Sequence, residues 1–230
     1  MDILYIIIIA VVFILLILAG LAVVNYSGQD LFDKSRKYSS FPTSSTPIQF
    51  LQLINSLYFD NRIVLKFTDK ELGDSYNGGG VMTLCSKYAY DNNLVGITIC
   101  AHELGHALQF KNEYKRMKKF AKRNKTSKLL SKFTIPLFVA GIVSLFFNQI
   151  IIAIVLGCLG VLTFIVALIN KFLTIKVEND ASKKAMELIK NYGNFTEDEI
   201  KMAKDFLNSA RQTYVADLLR SMLKWTLIVK

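Results

Sequence analysis

The chain has 230 residues, a net charge of +10 and 52% hydrophobic side chains. That composition allows one soluble domain beside membrane segments and is too apolar for a purely soluble globule. Three cysteines at unrelated spacings, Cys85, Cys100 and Cys158, exclude a disulfide framework and a paired-cysteine metal site; they read as structural or incidental thiols with no sign of an oxidising compartment.

Residues 3–24, ILYIIIIAVVFILLILAGLAVV, carry no charge and are long enough to span a bilayer. Only Asp2 precedes them. A secretory signal would show a basic start and a shorter apolar core, so a retained N-terminal membrane anchor is the reading. A polar stretch follows, with Ser39, Ser40, Pro42 and Thr43 to Pro47 inside it, which reads as a linker.

Thr46-Pro47-Ile48-Gln49 has the pattern of a helix start: a capping hydroxyl, proline in the first turn and glutamine three residues on. Residues 62–67 (RIVLKF) and 81–84 (VMTL) are strand-like. DSYNGGG at 74–80 lies between them as turn material, without the lysine and hydroxyl of a phosphate-binding loop. Asn92 or Asn93 then caps a helix carrying LVGITICAHELGHALQ, whose apolar content predicts a buried helix.

Residues 111–132 hold ten basic side chains against one acid, Glu113. A nucleic-acid patch would look like this. Its position against an apolar block favours a positive-inside flank touching anionic lipid, so no nucleic-acid partner is expected. The apolar block, residues 134–169, is interrupted by Asn148 and Gln149. One helix of that length would overshoot a bilayer, so a helical hairpin turning near Asn148 fits better. Its short first arm needs Leu129, Leu130 and Phe133 to extend it, or inserts only in part.

The basic flank puts residues 25–133 on the cytoplasmic side, and the hairpin returns the chain there from Lys171 onward. Thr196-Glu197-Asp198-Glu199 opens a last helix with a capping box. Its end, VADLLRSMLKWTLIV, reads as an amphipathic helix packed on the membrane or the domain. The division is a membrane anchor (1–24), a first cytoplasmic part (25–133), a membrane hairpin (134–170) and a second cytoplasmic part (171–230). The fold class is a mainly α membrane protein with a cytoplasmic α+β domain and a small sheet.

The chemistry concentrates in His102-Glu103-Leu104-Gly105-His106, which holds both histidines of the chain. Positions i and i+4 share one helix face, so two imidazoles can hold one zinc ion with Glu103 beside the water to be activated. Gly105 lowers helicity but allows another element or a substrate to approach. With no histidine left, a third ligand must be acidic or Cys. Glu178, just after the hairpin, stands out. Asp180 is the competing carboxylate; on a helix the two point to different faces, so one ligates at most, and Asp180 could orient a ligand instead. Tyr214 and Arg211 are candidate donors to an oxyanion. The strand at 81–84 is a candidate for edge pairing with an extended substrate.

AHELGHALQ, followed after an apolar hairpin by VENDAS, resembles the YugP-type membrane zinc metallopeptidases of bacteria. The resemblance extends to the apolar N-terminus, the serine-containing linker, Leu84 to Tyr90 and the TYVA segment at 213–216. It implies a zincin-like catalytic domain whose two parts are 25–133 and 171–230, with His102, His106 and Glu178 as zinc ligands and Glu103 as catalytic base. Where that family often shows D-H-Y-D, this chain has Asp74-Ser75-Tyr76-Asn77. The layout is more distantly similar to the HtpX-type membrane proteases. The expectation is a membrane-bound endopeptidase with one zinc per chain, cutting peptide or membrane-protein substrates at the cytoplasmic face, with a role in membrane-protein quality control by analogy. The alternative is a zinc-stabilised membrane scaffold with degenerate peptidase chemistry. Lysine richness suggests a bacterial source; the oligomeric state is not indicated.

Overall fold

The computed structural model describes residues 3–223, and is mainly helical with one small sheet. Helix α1 (Ile3–Tyr38) is followed by α2 (Pro47–Phe59), strands β1 (Val64–Thr68), β2 (Ser75–Tyr76) and β3 (Val81–Cys85), and a single turn, α3 (Ser86–Ala89). Then come α4 (Leu94–Asn112), α5 (Tyr114–Ser131), α6 (Thr134–Phe146), α7 (Ile150–Tyr192) and α8 (Glu197–Leu223).

The chain forms two compact units. One contains residues 1–29, 121–175 and 212–230; the other contains 30–120 and 176–211. The second unit holds a hydrophobic core. Phe50, Ile54, Met82, Leu94, Ile97 and Leu104 are its fully buried anchors, joined by Ile189 and Phe206 from the later helices.

Local chemistry explains most boundaries in this unit. Thr46 caps α2 reciprocally: its Oγ1 accepts from Gln49 N at 3.2 Å, and Gln49 Oε1 accepts from Thr46 N at 2.8 Å. Asp60 and Asn61 then turn the chain with positive φ. Asn55 pins the return by bonding both backbone groups of Ile63. Asn93 is the residue that caps α4, accepting from Gly96 N at 2.6 Å.

The sheet order is β1-β3-β2, with β1 parallel and β2 antiparallel to β3. The segment read as a plain turn thus contains a two-residue strand: Ser75 and Tyr76 pair with Thr83 and Met82. The glycines beyond it supply the tight return, Gly78 and Gly80 having positive φ. Strand β3 is therefore central, and both its edges are taken. The expectation that residues 81–84 pair with a substrate is corrected by that topology.

Two further findings concern helix length. Residues 25–38 are helical and continue α1, since Gln29 to Tyr38 has no helix breaker; the irregular linker begins only at Ser39. The hairpin turns at Phe147 to Gln149, with Asn148 at φ 56°, but its second helix does not stop near Ile169. It runs on as α7 to Tyr192.

In the first unit, α6 and the start of α7 pack closely through small residues. A Cβ on Gly141 would lie 3.3 Å from Ala153 O, and one on Gly160 would touch the Phe138 ring. Thr134 and Thr163 join by a 3.0 Å hydroxyl bond. Outward-facing apolar side chains are abundant, Ile151 being 79% exposed. Residues 114–146 and 150–192 both contain helix long and apolar enough to cross a membrane. The end of the expected amphipathic helix, residues 224–230, lies outside the described residues.

Candidate metal centre

Helix α4 brings the two histidines together, and α7 brings the third group. Its ring centroids 4.8 Å apart, the His102–His106 pair sits one turn apart on α4. His102 Nε2 is 3.2 Å and His106 Nε2 is 3.3 Å from the same oxygen, Glu178 Oε2. One donor atom from each of these residues lies within 4.8 Å of the others. Among the described residues this is the one such cluster.

The close approach of α7 to α4 depends on Gly105. A Cβ there would fall 2.3 Å from Ala181 O, so glycine lets the backbone of another helix, not a substrate, come close. Glu178 then lies one turn before the contact, level with the histidines.

Asp180 does not join the ligand cluster. Its Oδ2 accepts from Gln109 Nε2 at 2.8 Å, and Lys184 Nζ is 2.6 Å from both its oxygens. Gln109 is 4% exposed and also donates to Val177 O at 2.7 Å. Its Oε1 faces His106 Nδ1 at 2.9 Å. Ser182 Oγ lies 3.3 Å from His102 Nδ1. Neither Gln109 nor Ser182 was singled out from sequence. Both stand in the quoted motifs, three residues after His106 and four after Glu178, so helical spacing was the signal available.

The electrostatics follow from these contacts. Burial opposes charge on His106, but hydrogen bonding and attraction from Glu178, with the charge of Glu103, raise it to about 9. Burial likewise opposes ionisation of Glu178, which lies beyond the apolar part of α7; the two imidazoles outweigh it and hold the carboxyl well below its usual range. Glu103 is buried at 7% exposure. Its charge is felt at His106, at Asp74 and at Cys100. Burial, assisted by Glu103, lifts Asp74 to about 6. Cys85 and Cys100 are buried; burial pushes the Cys100 thiol up, and its Sγ donates to Pro47 O at 3.4 Å. Cys158 is exposed in the apolar hairpin.

Of the two oxyanion candidates, Arg211 belongs to the same unit as the cluster and its Nη1 donates to Asn179 Oδ1 at 3.1 Å. Tyr214 belongs to the other unit, where Lys171 Nζ lies 5.0 Å from its ring centroid.

Two imidazole nitrogens and one carboxylate oxygen, converging on one point, fit a zinc ion with an open position for water. The comparisons agree with that donor chemistry. The family model "Putative neutral zinc metallopeptidase" matches residues 5–230. "Putative membrane protease YugP" of Bacillus subtilis (strain 168) is 28% identical over 146 residues. That alignment covers 63% of this chain and 61% of the relative. No solved structure matches the chain.

Proposed function

We propose, since the chain belongs to the neutral zinc metallopeptidase family, that it is a membrane-bound endopeptidase working at this centre. The observation that carries the reading is the convergence of His102 Nε2, His106 Nε2 and Glu178 Oε2 on one point beside the buried Glu103. These three side chains would hold one zinc ion per chain. When bound, zinc supplies Lewis-acid chemistry, making water nucleophilic near neutral pH and polarising a carbonyl.

Glu103 does the proton work. It takes a proton from the attacking water and passes it to the leaving amide nitrogen. Helix α4 holds it next to His102, buried at the same cluster. Of the two candidates to meet the developing oxyanion, Arg211 shares the unit of the cluster and Tyr214 does not. The hydrogen bond from Arg211 to Asn179, next to Glu178, favours Arg211.

The membrane part of the reading draws on the relative's name and on the two apolar helices. The N-terminal apolar segment (1–24) serves as an anchor and residues 134–170 as a hairpin. Residues 25–133 and 171–230 then form a catalytic part on the cytoplasmic face. The lysines and arginines of α5 are exposed, while Met117, Ser127 and Ser131 on its other face are buried. Such a helix suits the anionic headgroups of the cytoplasmic leaflet. Peptides and membrane-protein segments are the substrate class, and quality control of membrane proteins is the role.

The test uses the full chain purified in detergent, with Glu103→Gln beside wild type. Zinc content and cleavage of a fluorogenic peptide library are measured together. The expected result is one zinc per chain in both proteins and cleavage at least ~100-fold slower in the variant. Equal cleavage by both, or zinc without any cleavage by wild type, would move the protein to a zinc-stabilised scaffold.

A further inference from the structure

The two ligand histidines are held differently from behind. His102 Nδ1 faces a hydroxyl, Ser182 Oγ, which can donate or accept and so imposes no tautomer. His106 Nδ1 faces the side-chain amide of Gln109, and that amide has no freedom. The carbonyl of Val177 can only accept, so the group 2.7 Å from it must be the Gln109 NH₂. The same NH₂ reaches Asp180 Oδ2 at 2.8 Å. Gln109 Oε1 is left facing His106, and an amide oxygen only accepts. Nδ1 of His106 must therefore carry a hydrogen.

From this geometry we infer that Gln109 is a positioning residue that fixes His106 as an Nε2 ligand, and that Asp180 acts on the centre only through Gln109. The inference rests on the metal-site reading above. The order of contacts is Lys184, Asp180, Gln109, His106. Lys184 and Asp180 are one turn apart on α7 and Gln109 is one turn past His106 on α4, so two helices fix the amide from both sides. Partners of this kind behind a ligand histidine typically change metal affinity about 10–100-fold when removed.

The experiment is a chelator-competition titration with zinc on the full chain in detergent, together with nitrogen-15 spectra of histidine-labelled, zinc-loaded protein. The chain has two histidines, so the spectrum holds two rings. In wild type the His106 ring is expected with hydrogen on Nδ1 and metal on Nε2. Gln109→Met fills the space without an acceptor and is expected to weaken zinc binding about 10–100-fold, leaving the His102 ring signals in place. Gln109→Glu keeps an acceptor towards Nδ1 but sets a carboxylate oxygen against Val177 O and Asp180 Oδ2, so it should not restore the affinity in an otherwise unchanged chain. Asp180→Ala should weaken binding a few-fold in wild type and have no further effect in Gln109→Met, as groups acting in series do.

A pure packing role predicts that Gln109→Met, which fills the same space, binds zinc as wild type does. Undiminished affinity in Gln109→Met, or a His106 ring bound through Nδ1, would overturn the inference while leaving the zinc site intact. Failure of wild type to take up zinc would overturn both.

Discussion

Gly105 and Ala181 meet with no room for a side chain between them: a Cβ on Gly105 would stand 2.3 Å from the Ala181 carbonyl oxygen. Backbone cannot yield as a flexible side chain can, so a methyl group here must push α7 away from α4. Glu178 is one turn from the contact and would retreat from both histidines. Gly105→Ala is expected to lower zinc affinity at least ~10-fold and to destabilise the fold by about 1–3 kcal/mol. The control is Gly157→Ala, where an added Cβ meets nothing within 4 Å. Matching zinc titrations and melting curves for the two variants would refute the argument.

Glu178 and Asp180 are close in sequence but have separate jobs in this geometry. Glu178→Ala removes a ligand oxygen and leaves two imidazoles, so zinc should be lost during gel filtration. Asp180→Ala should keep one zinc per chain under the same conditions. Metal analysis of the eluted protein decides, and retention by Glu178→Ala would remove the third ligand from the assignment.

Asn93 anchors the start of the helix that carries the motif. Its Oδ1 accepts from Gly96 N, and its Nδ2 donates to Tyr88 O and Asp91 O. It is 4% exposed, so water does not replace what is lost. Asn93→Ala should cost about 2 kcal/mol, a lost cap plus unsatisfied carbonyls. A melting temperature unchanged within 1–2 °C, roughly what a few tenths of a kcal/mol produces, would contradict this.

Asp74 predicts a pH effect of unusual sign. One of its oxygens accepts from Cys85 N at 2.6 Å, while Oδ2 is buried without a hydrogen-bond partner. Burial first, and then the charge of Glu103, raises it to about 6 from an ordinary 3.8. Below the ordinary value, folded and unfolded chains are both protonated and the group contributes nothing. As pH climbs from about 4 to about 6, the unfolded chain ionises and the folded one resists. Stability contributed at this position therefore falls across that window and stays lower above it. Asp74→Asn should remove the slope and raise stability at pH 7.5, by on the order of 1–2 kcal/mol after allowing for partial exposure. Melting curves at constant zinc from pH 4.5 to 7.5 test this, and a slope that survives the substitution places its origin elsewhere.

Motifs with local causes were legible in the sequence. Thr46, Asn93 and Thr196 announce helix starts because capping is a contact between neighbours a few residues apart, and the structure has helices there. The i, i+4 pair of histidines needs only helical spacing. Glu178 could be favoured because a hairpin must return the chain near its start. What was not legible depended on contacts distant in sequence. The pairing of Ser75 and Tyr76 with β3 is two residues long and leaves no alternation to read. The centrality of β3 follows from strand order, which periodicity does not encode. The continuation of α1 to Tyr38 and of α7 to Tyr192 reflects the absence of a breaker, a weaker signal than the change in polarity that suggested boundaries. Gln109 and Ser182 gain meaning only when α4 and α7 are side by side.

Synthesis proceeds from the N-terminus, and Glu178 follows the histidines only after the whole apolar hairpin has been made. A nascent chain that has emerged through α4 owns two imidazoles but lacks the Glu178 carboxylate that completes the set. Assembly of the cluster is thereby deferred: a truncated or stalled product ending anywhere before Glu178 is born with two of its three side chains.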